Sequence, residues 1–125
     1  MEKEKLKILL VEDDAFLARM YQSKLENQNF TVYAAGDGAE GIKLAQEKAP
    51  DVVLLDILLP KVDGWGVLKA LKKEEKTKNI PVILLTNLGQ KEDVDKGLAM
   101  GAVDYLIKAY FTPSEVVEKI KKVIK

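Results

Sequence analysis

Five short aliphatic runs recur along the chain, each followed by an amphipathic stretch: LKILLV (6–11), TVYAA (31–35), DVVLLD (51–56), PVILLT (81–86) and DYLIK (104–108). Most are apolar without alternation, the pattern of strands covered on both faces rather than of a sheet with one wet side. TVYAA is the weakest and reads as an edge. The stretches between them carry helical spacing. Stripes are predicted from Phe16, Met20 and Leu25 within 15–28, and from Ile42 and Ala45 within 38–48. Further stripes come from Trp65, Leu68 and Leu71 within 64–75, and from Val94, Leu98 and Ala99 within 91–100. The last helix starts near Pro113, repeats Val116, Val117, Ile120, Val123 and Ile124, and takes its N-cap from Thr112-Pro113-Ser114-Glu115. Strand–helix alternation with short links implies right-handed crossovers and an α/β, doubly wound parallel sheet with helices on both faces. The expected strand order is 2-1-3-4-5, with a ligand crevice beyond the carboxyl ends of the strands, between the first and the third.

The composition removes several chemistries. With 125 residues, 1–125 is expected to form a single domain with one core. Lys+Arg and Asp+Glu stand at 20 each, which gives no basic footprint for nucleic acid. The sequence has no Cys and no His. Disulfides, thiolate chemistry, histidine metal ligands, a Ser-His-Asp triad and a phosphohistidine carried by this chain are all excluded. The apolar run in MEKEKLKILLV meets Glu12-Asp13-Asp14 too soon for a signal peptide or a membrane span. A cytoplasmic location is expected.

The two aspartates of DVVLLDILLP differ in place. Asp51 precedes its strand, on the rim away from the crevice; Asp56 follows it, inside the crevice. An ionised carboxylate there costs several kcal/mol unless something balances it. The other strands exit into Glu12-Asp13-Asp14, Thr86-Asn87 and Lys108. Singly, each has a plain explanation: Asp14 as an N-cap, Thr86 as a turn residue, Lys108 as a solvated strand end. Their convergence on one mouth favours a site. Carboxylates so close repel, and a hard cation such as Mg²⁺ relieves that. A hydroxyl and a lysine beside a metal and a carboxylate nucleophile make a phosphoryl site, with an acyl phosphate on Asp56 as product.

These motifs together resemble the receiver domain of bacterial two-component response regulators, of chemotaxis-regulator-like, flavodoxin-like fold, over the whole chain. KILLVEDDAFLARMYQSKLE carries the acidic pair Glu12 and Asp13, and DVVLLDILLPKVDGWGVLKAL carries the acceptor Asp56, with Pro60 and Gly64 shaping the loop. PVILLTN carries the hydroxyl Thr86, and GAVDYLIKAYF carries the switch aromatic Tyr105 and the lysine Lys108. The resemblance implies phosphorylation of Asp56 by a separate histidine kinase or phosphotransfer protein. Mg²⁺, with Mn²⁺ as a substitute, would be held by Glu12, Asp13, Asp56 and the Leu58 backbone carbonyl. Thr86 and Tyr105 would form the switch, and the face of helix 4, strand 5 and helix 5 would change its partner preference. It also implies a signalling phosphoacceptor rather than an enzyme, a downstream protein target, no direct nucleic-acid or membrane contact, and a phosphorylation-dependent homodimer as an option. The chain ends one helix after Lys108, so the expectation is a regulator acting by protein contact or a piece of a longer protein.

Some positions depart from the family pattern. Ala109 follows the lysine where the family usually has proline, often after a cis bond, and a cis bond before alanine costs roughly 3 kcal/mol. That bond is expected to be either trans with a shifted loop or cis and strained. Leu58, Asn87 and Leu88 replace residue types common in the family, and apolar groups there predict slow loss of phosphate. Three rivals remain: a dehalogenase-type phosphohydrolase, which needs a second Asp where Leu58 stands; a flavin or nucleotide binder, which needs a phosphate-cradling loop where EDDA stands; and a receiver-fold module that is never phosphorylated.

Overall fold

The computed structural model describes residues 5–124. The strands are β1 (Lys7–Val11), β2 (Thr31–Ala35), β3 (Val52–Leu55), β4 (Val82–Thr86) and β5 (Asp104–Ile107). The helices are α1 (Ala15–Asn27), α2 (Gly38–Lys48), α3 (Gly64–Lys73), α4 (Lys91–Ala99) and α5 (Pro113–Ile124). All strand pairs are parallel and the order is β2-β1-β3-β4-β5, as the alternation requires. TVYAA is an edge.

The continuous apolar runs are explained by two cores, one on each face of the sheet. Successive side chains of a strand point to opposite faces. Ile8, Leu10, Leu54, Ile83 and Leu106 therefore pack with Tyr21 and Leu25 of α1 and with Val116 and Ile120 of α5. Leu9, Val11, Val53, Leu55 and Leu84 face the other way, onto Ala45 of α2 and Val67, Leu68 and Leu71 of α3.

Helix starts follow the side chains that satisfy their free N–H groups. Asp14, Asp37 and Asp63 cap α1, α2 and α3 by accepting from Leu17, Glu40 and Gly66. At α5 the Glu115 N–H donates to Thr112 Oγ1 at 3.2 Å, and the Thr112 N–H donates to Glu115 Oε1 at 2.8 Å, a reciprocal capping box. Thr112→Ala is expected to lower stability by about 1 kcal/mol in urea unfolding, with the fold retained.

Two helix faces differ from the expected stripes. In α1, Phe16 is 77% exposed, and the inward stripe is Leu17, Tyr21 and Leu25. A step of four residues from the well-buried Leu25 selects that row over Phe16. In α4 the fully buried residue is Gly97, the expected Val94 is half-buried against the core of α2 and α3, and Leu98 and Ala99 are exposed. A Cβ at position 97 would lie 2.6 Å from Leu84 Cδ1 and 3.0 Å from Tyr105 Cδ2. The helix sits so close to β4 and β5 that only its bare backbone fits. β5 ends at Ile107, so Lys108 begins a single 3₁₀ turn, Lys108–Tyr110. Among the described residues no peptide bond is cis. The Lys108–Ala109 bond is trans, and the strained alternative falls away.

Candidate functional site

Parallel strands in this order deliver Glu12, Asp56, Thr86 and Lys108 to one rim, each at or just past a strand end. Asp51 stays on the other rim, where its Oδ2 accepts from the Lys7 N–H at 2.7 Å. The separation of the two aspartates read from the sequence is therefore observed.

Asp56 is held at three points. Its N–H donates to the Val11 carbonyl, which extends the β1–β3 pairing by one residue. Its Oδ1 accepts from the Ile57 N–H at 2.6 Å and, more loosely, from the Leu58 N–H at 3.4 Å. Its Oδ2 accepts from Lys108 Nζ at 2.8 Å. The same ammonium donates to Glu12 Oε1 at 2.6 Å, so one cation bridges two buried carboxylates. Glu12 also accepts from the Asp14 N–H through its other oxygen. Carboxylate oxygens of Glu12, Asp13 and Asp56 all lie within 4.8 Å of one another, and they could hold a metal ion. Hard oxygen donors with one exposed member suit a small divalent cation that keeps some of its waters.

Burial and pairing set the charges. Burial pushes the Glu12 carboxyl up, and the hydrogen bonds from Lys108 and the Asp14 N–H offset only part of that. Burial pulls the Lys108 ammonium down, but its bonds to Asp56 and Glu12 outweigh it, leaving Lys108 above its ordinary value. It is a committed cation.

The loop after β3 keeps its shape through Gly64, whose N–H donates to the Ile57 carbonyl at 2.7 Å. Pro60 accepts from the Gly38 and Val62 N–H groups, and Lys61 has φ 69°. The Leu58 side chain is 60% exposed.

Thr86 and Tyr105 meet at Leu88. The fully buried Thr86 accepts from the Leu88 N–H at 3.4 Å, and the Tyr105 hydroxyl donates to the Leu88 carbonyl at 2.5 Å. The Tyr105 ring is already inside, 9% exposed, and burial holds its hydroxyl up to about 12.

Sequence reasoning did not single out Tyr21, which is buried and lines, with Lys108 and Phe111, a cleft of about 350 Å³ between α1 and the turn after β5. Its four-residue spacing from Leu17 and Leu25 was the available signal. The backbone of Leu88 could not have been found from residue types.

The response regulator receiver domain family matches residues 8–121 of this chain. A probable transcriptional regulator ycf27 of Guillardia theta is 38% identical over 121 residues, covering 97% of this chain and 46% of that protein. The DNA-binding dual master transcriptional regulator RpaA of Synechocystis is 38% identical over 119 residues, 95% of this chain and 49% of its own length. The chain thus spans about half the length of these curated relatives. Among solved structures, the receiver domain of a Francisella response regulator superposes with a TM-score of 0.89 at 32% identity, covering 96% of this chain and 97% of that one.

Proposed function

The chain belongs to the response regulator receiver domain family, the receiving unit of two-component systems, and on that premise we propose that its Asp56 accepts a phosphoryl group from a histidine-bearing donor. The observation that carries this reading is the bridge of Lys108 from Asp56 to Glu12, with the Asp13 carboxylate beside it. Three acids and one permanent cation are gathered where a tetrahedral anion would be received.

One Asp56 carboxylate oxygen attacks phosphorus. The P–N bond of the donor phosphohistidine breaks, and its electron pair stays on the imidazole nitrogen. The backbone N–H groups on Oδ1 and the ammonium on Oδ2 fix the carboxylate plane before attack. Lys108 then neutralises phosphoryl oxygens, and the Thr86 hydroxyl donates to one of them. The residues that would hold Mg²⁺, or Mn²⁺ in its stead, are Glu12, Asp13, Asp56 and the Leu58 carbonyl; when bound, it supplies positive charge against the transferred group. Recruiting Thr86 withdraws its oxygen from the Leu88 N–H, and the other end of Leu88 is held by Tyr105. The signal reaches the α4–β5–α5 face through that residue, where a protein partner or a second copy would read it.

On this reading the unit formed by residues 1–125 is a phosphoacceptor that processes only its own phosphate. Turnover of small phosphoesters is disfavoured because the position two after Asp56 is Leu58 rather than an acid. Among the described residues no helix is long and apolar enough to cross a membrane. The test is intact mass after incubation with acetyl phosphate. The mass of one phosphoryl group is expected with Mg²⁺ and none with EDTA; an unmodified chain in Mg²⁺ would reject the reading. Leu58, two residues after the acceptor, and Leu88, two after Thr86, carry apolar side chains that cannot orient an attacking water, so the adduct should survive for minutes or longer after donor removal. Loss within seconds contradicts that.

A further inference from the structure

Helix α4 is the shortest α-helix of the fold and has the fewest buried residues. The only residue of α4 that is buried is Gly97, a poor helix former. Its N-cap, Gln90, makes no side-chain hydrogen bond, unlike the aspartate caps of α1, α2 and α3. Leu98, which could have anchored it, is 46% exposed. Such an element opens locally at lower free energy than the strands beneath it.

A side-chain contact ties α4 to α3. Lys96 Nζ stands 4.3 Å from the centre of the Trp65 ring, within range of a favourable cation–π contact. Trp65 directly follows Gly64, whose N–H is bonded to the carbonyl of Ile57, the residue after Asp56. A short chain of contacts therefore runs from the acceptor through the β3–α3 loop to α4, separate from the one through Thr86 and Tyr105.

We propose that the Lys96–Trp65 contact is a clasp that holds α4 on α3, and that phosphorylation of Asp56 releases it through the β3–α3 loop. The release rests on the phosphoacceptor reading; the clasp does not. The contact is worth a few-fold in an opening equilibrium at an exposed site, enough to bias a helix with so little buried. Trp65 then senses where α4 sits.

Amide hydrogen exchange tests both parts. In the unmodified protein, Lys96→Met is expected to speed exchange of residues 91–99 about 2- to 5-fold while β1, β3 and β4 stay protected. Lys96→Arg, which keeps the charge over the ring, should stay at the wild-type rate. Unchanged α4 exchange in Lys96→Met overturns the clasp. Wild-type protein shown by mass to carry a phosphoryl group should reach the Lys96→Met rate, and the phosphorylated variant should gain less than the wild type does. A phosphorylated wild type with unchanged α4 exchange overturns the release and leaves the Asp56 reading intact. A chain that takes up no phosphoryl group overturns that reading and the release together, while the comparison of unmodified proteins still decides the clasp.

Discussion

Asp56→Asn is expected to abolish covalent phosphorylation: after acetyl phosphate and Mg²⁺ the variant keeps its unmodified mass under conditions that label the wild type. The substitution is nearly isosteric, so the loss reads chemistry rather than folding. An amide oxygen is too weak a nucleophile to form the acyl phosphate. The geometry around it can persist, because an amide oxygen still accepts from the Ile57 N–H and Lys108 still has Glu12. Removing one of three clustered carboxylates also relieves repulsion, so stability is expected to stay within about 1 kcal/mol of wild type, or to rise. Divalent-ion affinity should fall, since one of the three candidate donors has lost its charge. A phosphoryl group found on the Asn variant would mean that another side chain is the acceptor. Asp13, the exposed member of the cluster, would be the first to examine.

How far the residues alone reach can be judged at particular places. Strand order and the rim at which Asp56, Thr86 and Lys108 meet were legible, because apolar run length and parallel crossovers leave few topologies. The capping roles of Asp14 and Thr112 were legible because caps are local. The inward faces of α1 and α4 were legible only in part: Leu25, Met20 and Val94 pack inward as expected, whereas Phe16 and Leu98 do not. Hydrophobicity favoured Phe16 and Leu98, but the chain buries Tyr21 and Gly97 instead. Helix rotation is settled by fit against the sheet, and a glycine that permits close approach has no hydrophobic signature. The double hold on Leu88 was invisible for a related reason, since it uses backbone atoms that every residue has. The Lys108–Ala109 bond shows the reverse. A family habit suggested strain, yet a trans bond places the ammonium on both carboxylates.

Gly64→Ala is expected to be the most damaging single-methyl change near the acceptor. A Cβ there would overlap the Asp56 carbonyl oxygen and Ile57 Cα, well inside van der Waals contact. Both are backbone atoms, so no rotamer change can relieve the overlap, and the loop itself must move. It has little room to do so. On its other side Gly38 of α2 donates to the Pro60 carbonyl, and a Cβ at Gly38 would in turn strike the Val62 carbonyl. Moving the loop away from the added methyl group also breaks the Gly64–Ile57 hydrogen bond and shifts the N–H groups that orient Asp56 Oδ1. The expected loss is about 3 kcal/mol or more in urea unfolding, at the upper end of overpacking effects. Phosphorylation by acetyl phosphate should slow as well, in the fraction that remains folded. Gly36→Ala is the matched control, since a Cβ there meets nothing within 4 Å. It should leave stability unchanged or raise it by about 0.5 kcal/mol through the unfolded chain. Near-equal stability of the two variants would show that the β3–α3 loop yields easily. It could not then hold Asp56 in a fixed orientation, and the pre-organised carboxylate on which rapid phosphoryl acceptance depends would have to be given up.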